Sequence, residues 1–436
     1  MQKSFLLREK KPKLNVLYVS SLLLKPAAYN PRKWDSSAIT QLKESITRFG
    51  LVDPIIANSA PKRKNVVIGG HFRLKIAKEL GYTEVPVVYL NIPDVEKERE
   101  LNLRLNKNTG AWDFEKLKDF DLTMLADVGF DSEELDDIWS ESLETKDDEF
   151  DVEGELAKIK KPKTKVGDYY QLGKHRLICG DSTDPEVVRK LMDGKRTGMI
   201  YSDPPYNIKL DYDKGIGAKG KYGGKTDDAK TFVAYEAFIR KTMENALSVS
   251  EDDVHVFYWC DQNYVGMMQG LYRTLGVENR RTCLWIKNNQ NVVPQVAFNK
   301  VYEPVVYGTR GSPFLSEHHH NLTEVLNKEI GTGNVLIEDI LGLLDIWLIK
   351  RLPGQEYKHP TEKPPTLHEK AIKRCTKVSD IVLDSFAGSG STLISCEQLK
   401  RCAYLVEMEP VFCDLIISRF EALTGIKAVK LSEHGK

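Results

Sequence analysis

Residues 380–399 read D-I-V-L-D-S-F-A-G-S-G-S-T-L-I-S-C-E-Q-L, and this stretch decides the fold. Ile381 to Leu383 is a short apolar run of the kind buried on both faces of a sheet, and Asp384 closes it. Gly388 and Gly390 then make a tight turn, and Ser391 to Leu399 follows as a helix. A glycine turn between strand and helix lets a ligand approach the backbone closely. Ala403 to Val406 predicts the next strand. It ends at Glu407, about 20 residues downstream, where Rossmann-type sites carry an acid for ribose hydroxyls. No G-x-x-x-x-G-K-[ST] pattern is present, and Leu393 stands where a dinucleotide fingerprint needs its third glycine. The expected ligand is therefore an adenosine derivative without a pyrophosphate.

Upstream, residues 201–207 read Y-S-D-P-P-Y-N. Proline cannot donate to a sheet ladder, so Pro204 and Pro205 should end a strand running from Thr197 to Ser202. A plain turn has no need of an acid on one side and an aromatic ring on the other. Asp203, Pro204, Pro205 and Tyr206 are therefore a candidate reaction site.

The rest of the chain sets the frame. Its 436 residues exceed one ordinary core. Hydrophobic residues make up 41% and charged residues 29%, as in soluble globular proteins. Lys and Arg balance Asp and Glu, so contact with nucleic acid has to come from local basic patches. Seven cysteines without a C-x-x-C pair argue against a disulfide framework or a cysteine-rich zinc site, and for a reducing cytosol. His318-His319-His320 has no second ligand cluster beside it and reads as a surface loop, so no metal is expected. The N-terminal residues lack the apolar core of a signal peptide, and no apolar run reaches the ~20 residues of a membrane span.

Before residue 110, V-D-P-I-I-A-N (52–58), Val66 to Ile68 and V-P-V-V-Y-L (85–90) read as strands. Phe72 to Leu80 reads as a helix stopped by Gly81. Residues 111–140 read as a helical extension, and 141–165, acidic then basic, as a charged, solvated linker. From 166 to 436 strands and helices alternate, as in an α/β domain with a mostly parallel sheet.

D-P-P-Y and F-A-G-S-G in one chain closely resemble the amino-group DNA methyltransferases that use S-adenosylmethionine. The resemblance extends to G-D-Y-Y-Q-L-G-K-H-R-L-I-C-G-D-S, L-W-I-K, V-Y-E-P-V-V-Y-G and H-P-T-E-K-P. The catalytic turn precedes the cofactor turn, which is similar to the β arrangement of that family. It implies a Rossmann-like methyltransferase sheet with circularly permuted motif order. It implies that Asp384, Phe386, Gly388 and Gly390 cradle the cofactor and that Glu407 takes its ribose. Asp181 would approach its adenine, while Thr361 and Lys363 would meet its methionine end. The reaction implied is direct methyl transfer to the N6 amine of a flipped-out adenine in double-stranded DNA, without a metal. In it, Asp203 and the Pro204 carbonyl would each accept one hydrogen of the exocyclic amine, freeing a lone pair otherwise delocalised into the ring, and Tyr206 would stack on the base, worth ~1–3 kcal/mol. Cytosine N4 remains the alternative, since its enzymes more often carry serine where Asp203 stands; methylation of another planar amine, in RNA or a glutamine side chain, fits the aspartate less well. Downstream of the catalytic turn, Lys219, Lys221 and Lys225 lie in a glycine-rich loop suited to gripping phosphates. Residues of about 310–351 are the candidate target-recognition region.

Y-N-P-R (29–32), F-G-L-V-D-P-I-I-A-N, G-G-H-F-R-L-K-I-A-K-E-L-G and V-P-V-V together resemble the ParB/sulfiredoxin-like domain, a smaller α+β unit. There, Gly69, Gly70, His71 and Arg73 occupy a helix start suited to anions. The resemblance allows DNA contact through Arg73, a nucleotide at this domain, and a homodimer. It also leaves open a DNA-binding regulator whose methyltransferase half is vestigial, although both motif turns are intact. A bacterial or phage-encoded cytoplasmic enzyme is the expectation.

Overall fold

The computed structural model describes residues 14–31, 36–106, 112–139, 142–209, 228–291, 297–298, 300–316, 345–347 and 363–431. Thr361, Lys219, Lys221, Lys225, the three consecutive histidines and most of the candidate recognition region lie outside the described residues. The chain forms two compact units, Met1–Trp139 and Ser140–Lys436. No helix among the described residues is long and apolar enough to cross a membrane.

The first unit holds strands β1 (Val16–Ser20), β2 (Lys25–Pro26), β3 (Ile55–Asn58), β4 (Val66–Gly69) and β5 (Glu84–Leu90), in the order β1-β5-β3-β4-β2. The strand expected from Val52 begins only at Ile55, after Pro54, which has no amide to give the ladder. Ile55, Ala57, Val67, Val85 and Val87 fill the core at every second position. Helix His71–Glu79 starts at Gly70, whose φ of +90° favours glycine. On helix Val95–Asn106, the buried carboxylate of Glu98 accepts from Tyr29 Oη (2.7 Å), Asn58 Nδ2 (2.5 Å) and Arg63 Nη2 (2.6 Å). A buried acid so fully paired stabilises its surroundings without being free to react.

The second unit is built on one sheet. Its strands are β6 (Tyr169–Leu172), β7 (His175–Cys179), β8 (Thr197–Ser202), β9 (Ser250–Trp259), β10 (Glu278–Asn291), β11 (Lys300–Arg310), β12 (Ile346–Trp347), β13 (Ile381–Asp384), β14 (Cys402–Glu407) and β15 (Val429–Leu431). Their order is β12-β10-β11-β9-β8-β13-β14-β7-β6-β15. The central five, β9-β8-β13-β14-β7, are parallel, and β11 and β6 join their two sides antiparallel. Parallel strands are covered on both faces. Met199, Tyr201, Val382 and Leu405 accordingly fill one layer, and Ile200, Leu383, Tyr404 and Val406 the other. From β13 the chain runs through helix Ser391–Gln398 to β14 on one side; from β8 it runs through helix Phe232–Ser248 to β9 on the other. The strand order therefore reverses between β8 and β13, and ligands of open α/β sheets bind outside such a reversal.

The segment expected as a solvated linker is not free of the second unit. Thr145 donates from its amide and hydroxyl to Glu369 (2.7 and 2.6 Å), and Lys146 exchanges two hydrogen bonds with Gln398. Asp414 accepts from the amides of Lys163 and Thr164. Asp148 is 6% exposed and pairs with buried Arg419. Backbone groups, Thr145 and the carboxylate of Asp148 find partners in helices more than two hundred residues away.

Candidate active site

Register alone brings the two motif turns together. Leu383 pairs with Ile200, so three residues on, Phe386 and Asp203 leave the sheet at the same level. The Ser385 amide donates to Ser202 Oγ (3.3 Å), tying the two strand ends. On the next strand Asp384 pairs with Leu405, and Glu407 in turn pairs with Cys179, just before Asp181. Asp203, Asp384 to Gly390, Glu407 and Asp181 thus line the carboxyl ends of four adjacent parallel strands.

The glycine turn is fixed by acids. Asp384, 2% exposed, accepts from the Phe386 amide (2.9 Å). Burial pushes its carboxyl up to about 7; the Phe386 amide and Thr392 pull the other way, and Asp203 adds to the rise. Glu407 accepts from the amides of Gly388 (2.8 Å) and Glu409 (2.9 Å), yet burial raises it too to about 7. Gly388 and Gly390 have φ of +52° and +83°, left-handed values that favour glycine. A Cβ on Gly388 would meet no atom within 4 Å, so this side of the turn has room for a ligand. Phe386 packs on Phe238, ring centres 5.9 Å apart. Asp181 is exposed, and its carboxylate accepts from the Thr183 amide (2.8 Å), the ordinary closure of a turn.

The D-P-P-Y turn is held from three sides. The Tyr235 hydroxyl donates to the Pro205 carbonyl (2.7 Å). Lys363, 6% exposed, places its ammonium on Asp203 Oδ2 and donates to the Tyr206 hydroxyl (2.9 Å). The same ammonium lies 3.6 Å from Glu303 Oε2 and 4.8 Å from the Trp259 ring centre. Tyr206 donates to Glu303 (3.2 Å), which Lys287 also engages. Asp203 Oδ1 is buried and has no hydrogen-bond partner among the described residues. Burial raises the Asp203 carboxyl and Glu303 adds to it, while Lys363 and Tyr206 lower it. Burial would raise Glu303 as well, but Lys363 and Lys287 take it down to about 2, so it stays ionised.

Lys363, expected at the methionine end of a cofactor, thus lies on the carboxylate of Asp203. Glu303 and Lys287 sit in V-Y-E-P and L-W-I-K, stretches whose residues carry no individual assignment from the sequence. His368 was also hidden: 2% exposed, it joins Tyr201 Oη (3.0 Å) to Ser391 Oγ (2.9 Å), strand β8 to the helix behind the glycine turn. Burial lowers it to about 3, with Lys363 and Arg419 adding to the effect, so the ring is neutral. In the first unit, Arg73 pairs with Asp53 and folds beside Gly70.

Two known families match parts of the chain. Residues 197–418 match the family model described as DNA methylase, and residues 8–109 match that of the ParB N-terminal domain. A type II methyltransferase, M2.DpnII of Streptococcus pneumoniae, is 26% identical over 270 residues, 58% of this chain and 92% of the relative. Another, M.HpaI of Haemophilus parainfluenzae, is 21% identical over 248 residues, 57% of this chain and 74% of the relative. Among solved structures, an M1.HpyAVI–SAM complex is 17% identical with a TM-score of 0.38, covering 56% of this chain and 97% of that one.

Proposed function

The chain belongs to the DNA methylase family, and we propose that it transfers a methyl group from S-adenosylmethionine to the N6 amine of adenine in double-stranded DNA. The observation that carries this reading is the divided carboxylate of Asp203. Oδ2 is held by Lys363, while Oδ1 is buried with no hydrogen-bond partner among the described residues, on a turn whose strand lies next to that of the glycine turn. A buried acceptor left open costs free energy unless a donor arrives, and an exocyclic amine is such a donor. The aspartate at the head of D-P-P-Y supports adenine over cytosine.

The residues present fit an adenosine-bearing methyl donor. The open side of Gly388 gives backbone access, Glu407 and Asp384 offer acceptors at adjacent strand ends, and Phe386 flanks them. When bound, S-adenosylmethionine supplies an electrophilic sulfonium methyl. Asp203 Oδ1 accepts one amine hydrogen and the Pro204 carbonyl the other, which draws the nitrogen toward a tetrahedral shape and frees its lone pair. The two prolines lock φ and keep both acceptors in place. Tyr206 stacks on the base, its hydroxyl fixed by Lys363 and Glu303. An amine inside a duplex cannot reach this turn, so the base is flipped out. After transfer the amine carries an extra proton, which Asp203 is placed to take.

Incubation of the full chain with labelled S-adenosylmethionine and unmodified DNA, followed by nucleoside analysis, tests the proposal. N6-methyladenine is the expected product. N4-methylcytosine alone would overturn the base assignment, and no transfer to DNA would overturn the activity.

A further inference from the structure

We infer that Asp148 is a positioning residue for the cofactor turn, acting through Arg419 on the backbone between Gly388 and Gly390. This inference rests on the methyl-donor site proposed above. Both residues lie outside 197–418, the part of the chain that matches the family.

The geometry is a two-sided clamp. Arg419, on helix Pro410–Thr424, is 2% exposed. Its Nε and Nη2 donate to the two oxygens of Asp148 (2.6 and 2.7 Å), a bidentate pairing. Its remaining terminal nitrogen, Nη1, donates to the Ser389 carbonyl (3.0 Å) and hydroxyl (3.3 Å). Ser389 stands between two left-handed glycines, where the chain has the most conformational freedom to lose. From inside, the turn is held by Gly388 on Glu407 and by Gly390 on the Ala387 carbonyl (2.8 Å). Arg419 supplies the hold from outside.

A guanidinium buried this deeply needs a counter-charge, and Asp148 provides it. Asp148 is in turn fixed by its own segment, which Lys373 holds at the Leu143 carbonyl (2.7 Å) and Glu369 at Thr145. The Phe150 ring lies 5.9 Å from the guanidinium. The strap over residues 143–150 thereby reaches the cofactor turn in two steps, Asp148 to Arg419 and Arg419 to Ser389.

The test uses the full-length protein and S-adenosylmethionine itself, with affinity read by calorimetry, melting temperature by thermal unfolding, and kcat and KM by turnover on DNA. Asp148→Asn is expected to raise the Kd and KM for S-adenosylmethionine about tenfold, the scale of one charge-assisted hydrogen bond. At saturating donor, kcat should stay within about twofold. Because Asp148→Asn leaves a charge partly uncompensated, the double variant Asp148→Leu/Arg419→Met separates stability from positioning. An apolar pair restores stability but leaves the Ser389 carbonyl unheld, so affinity should remain low. Wild-type affinity in the stable double variant would overturn the inference, as would Asp148→Asn losing stability with affinity unchanged. A wild-type chain that binds no S-adenosylmethionine would instead overturn the methyl-donor reading beneath it.

Discussion

The ammonium of Lys363 rests on the carboxylate of Asp203, although 160 residues separate them in the chain. That contact divides the labour of one side chain. One oxygen is anchored, and the other is buried with no hydrogen-bond partner among the described residues. Glu303 and Tyr206 complete the cluster, and Lys287 stands behind Glu303. An aspartate in such company is rigid, and its charge is set by its neighbours.

Removing Lys363 should therefore change the pH profile as well as the rate. Asp203 must be ionised to accept the amine hydrogen. Burial raises its pKa, as does Glu303, and Asp384 on β13 is a further acid nearby; Lys363 and Tyr206 oppose them. In Lys363→Met the raising influences stay and the main lowering one is gone. The acid limb of the single-turnover rate should move to higher pH, and the rate at neutral pH should fall on the order of tenfold or more. Rate–pH curves of the two proteins, both saturated with donor and DNA, check this. An unmoved acid limb would sink the account of Lys363.

Asp203→Ala removes the open acceptor itself. Methyl transfer should fall on the order of a thousandfold or more, the scale of losing a preorganised acceptor at a reacting group. Binding of S-adenosylmethionine, measured by calorimetry, should survive, because the glycine turn is held by Asp384 and Glu407. Near-normal turnover would show that amine activation lies elsewhere.

Glu407 and Asp384 predict a stability that depends on pH. Each titrates near 7 in the fold, against 4.5 and 3.8 ordinarily, because burial favours the neutral acid. The stability they confer is present in full below those ordinary values. It is lost as pH rises through about 7, since the unfolded chain has already released both protons. The ligand-free protein should melt lower at pH 8 than at pH 5.5. Glu407→Gln should flatten this trend and melt higher at pH 8, yet bind S-adenosylmethionine more weakly for want of a ribose acceptor. Thermal unfolding at the two pH values, with calorimetry alongside, separates the effects; parallel melting trends in variant and wild type would refute the linkage.

What could be read from the chain was local. Pro204-Pro205 ends β8 where the proline pair requires, and Gly388 and Gly390 adopt the left-handed turn their type allows. Strand β13 and the helix after it start where the apolar run and the second glycine place them. The contacts that finish the site were not legible, because each joins distant positions. The resemblance assigns Lys363 to the methionine end of the cofactor, and only the fold sets its ammonium on Asp203. Nothing in the sequence singles out His368, which only the fold sets between Tyr201 and Ser391. Asp148 sits in a run of charges whose composition signals solvent, and only the fold brings Arg419, 271 residues on, beneath it.

The two glycines of the turn after β13 should respond differently to the same substitution. At Gly390, φ is +83° and a Cβ would lie 3.1 Å from Ile416 Cγ1, on the helix that also carries Arg419. Gly390→Ala should cost about 2 kcal/mol of stability, part from the left-handed backbone and part from crowding the helix. Gly388 has φ of +52° and open space around its missing Cβ. Gly388→Ala should cost only about 1 kcal/mol, but its methyl points into the side left for the donor. Per unit of stability lost, Gly388→Ala should weaken S-adenosylmethionine binding more than Gly390→Ala. Denaturant unfolding and calorimetry on both variants measure the two quantities. The reverse order would mean that the open side of Gly388 is not where the donor lies.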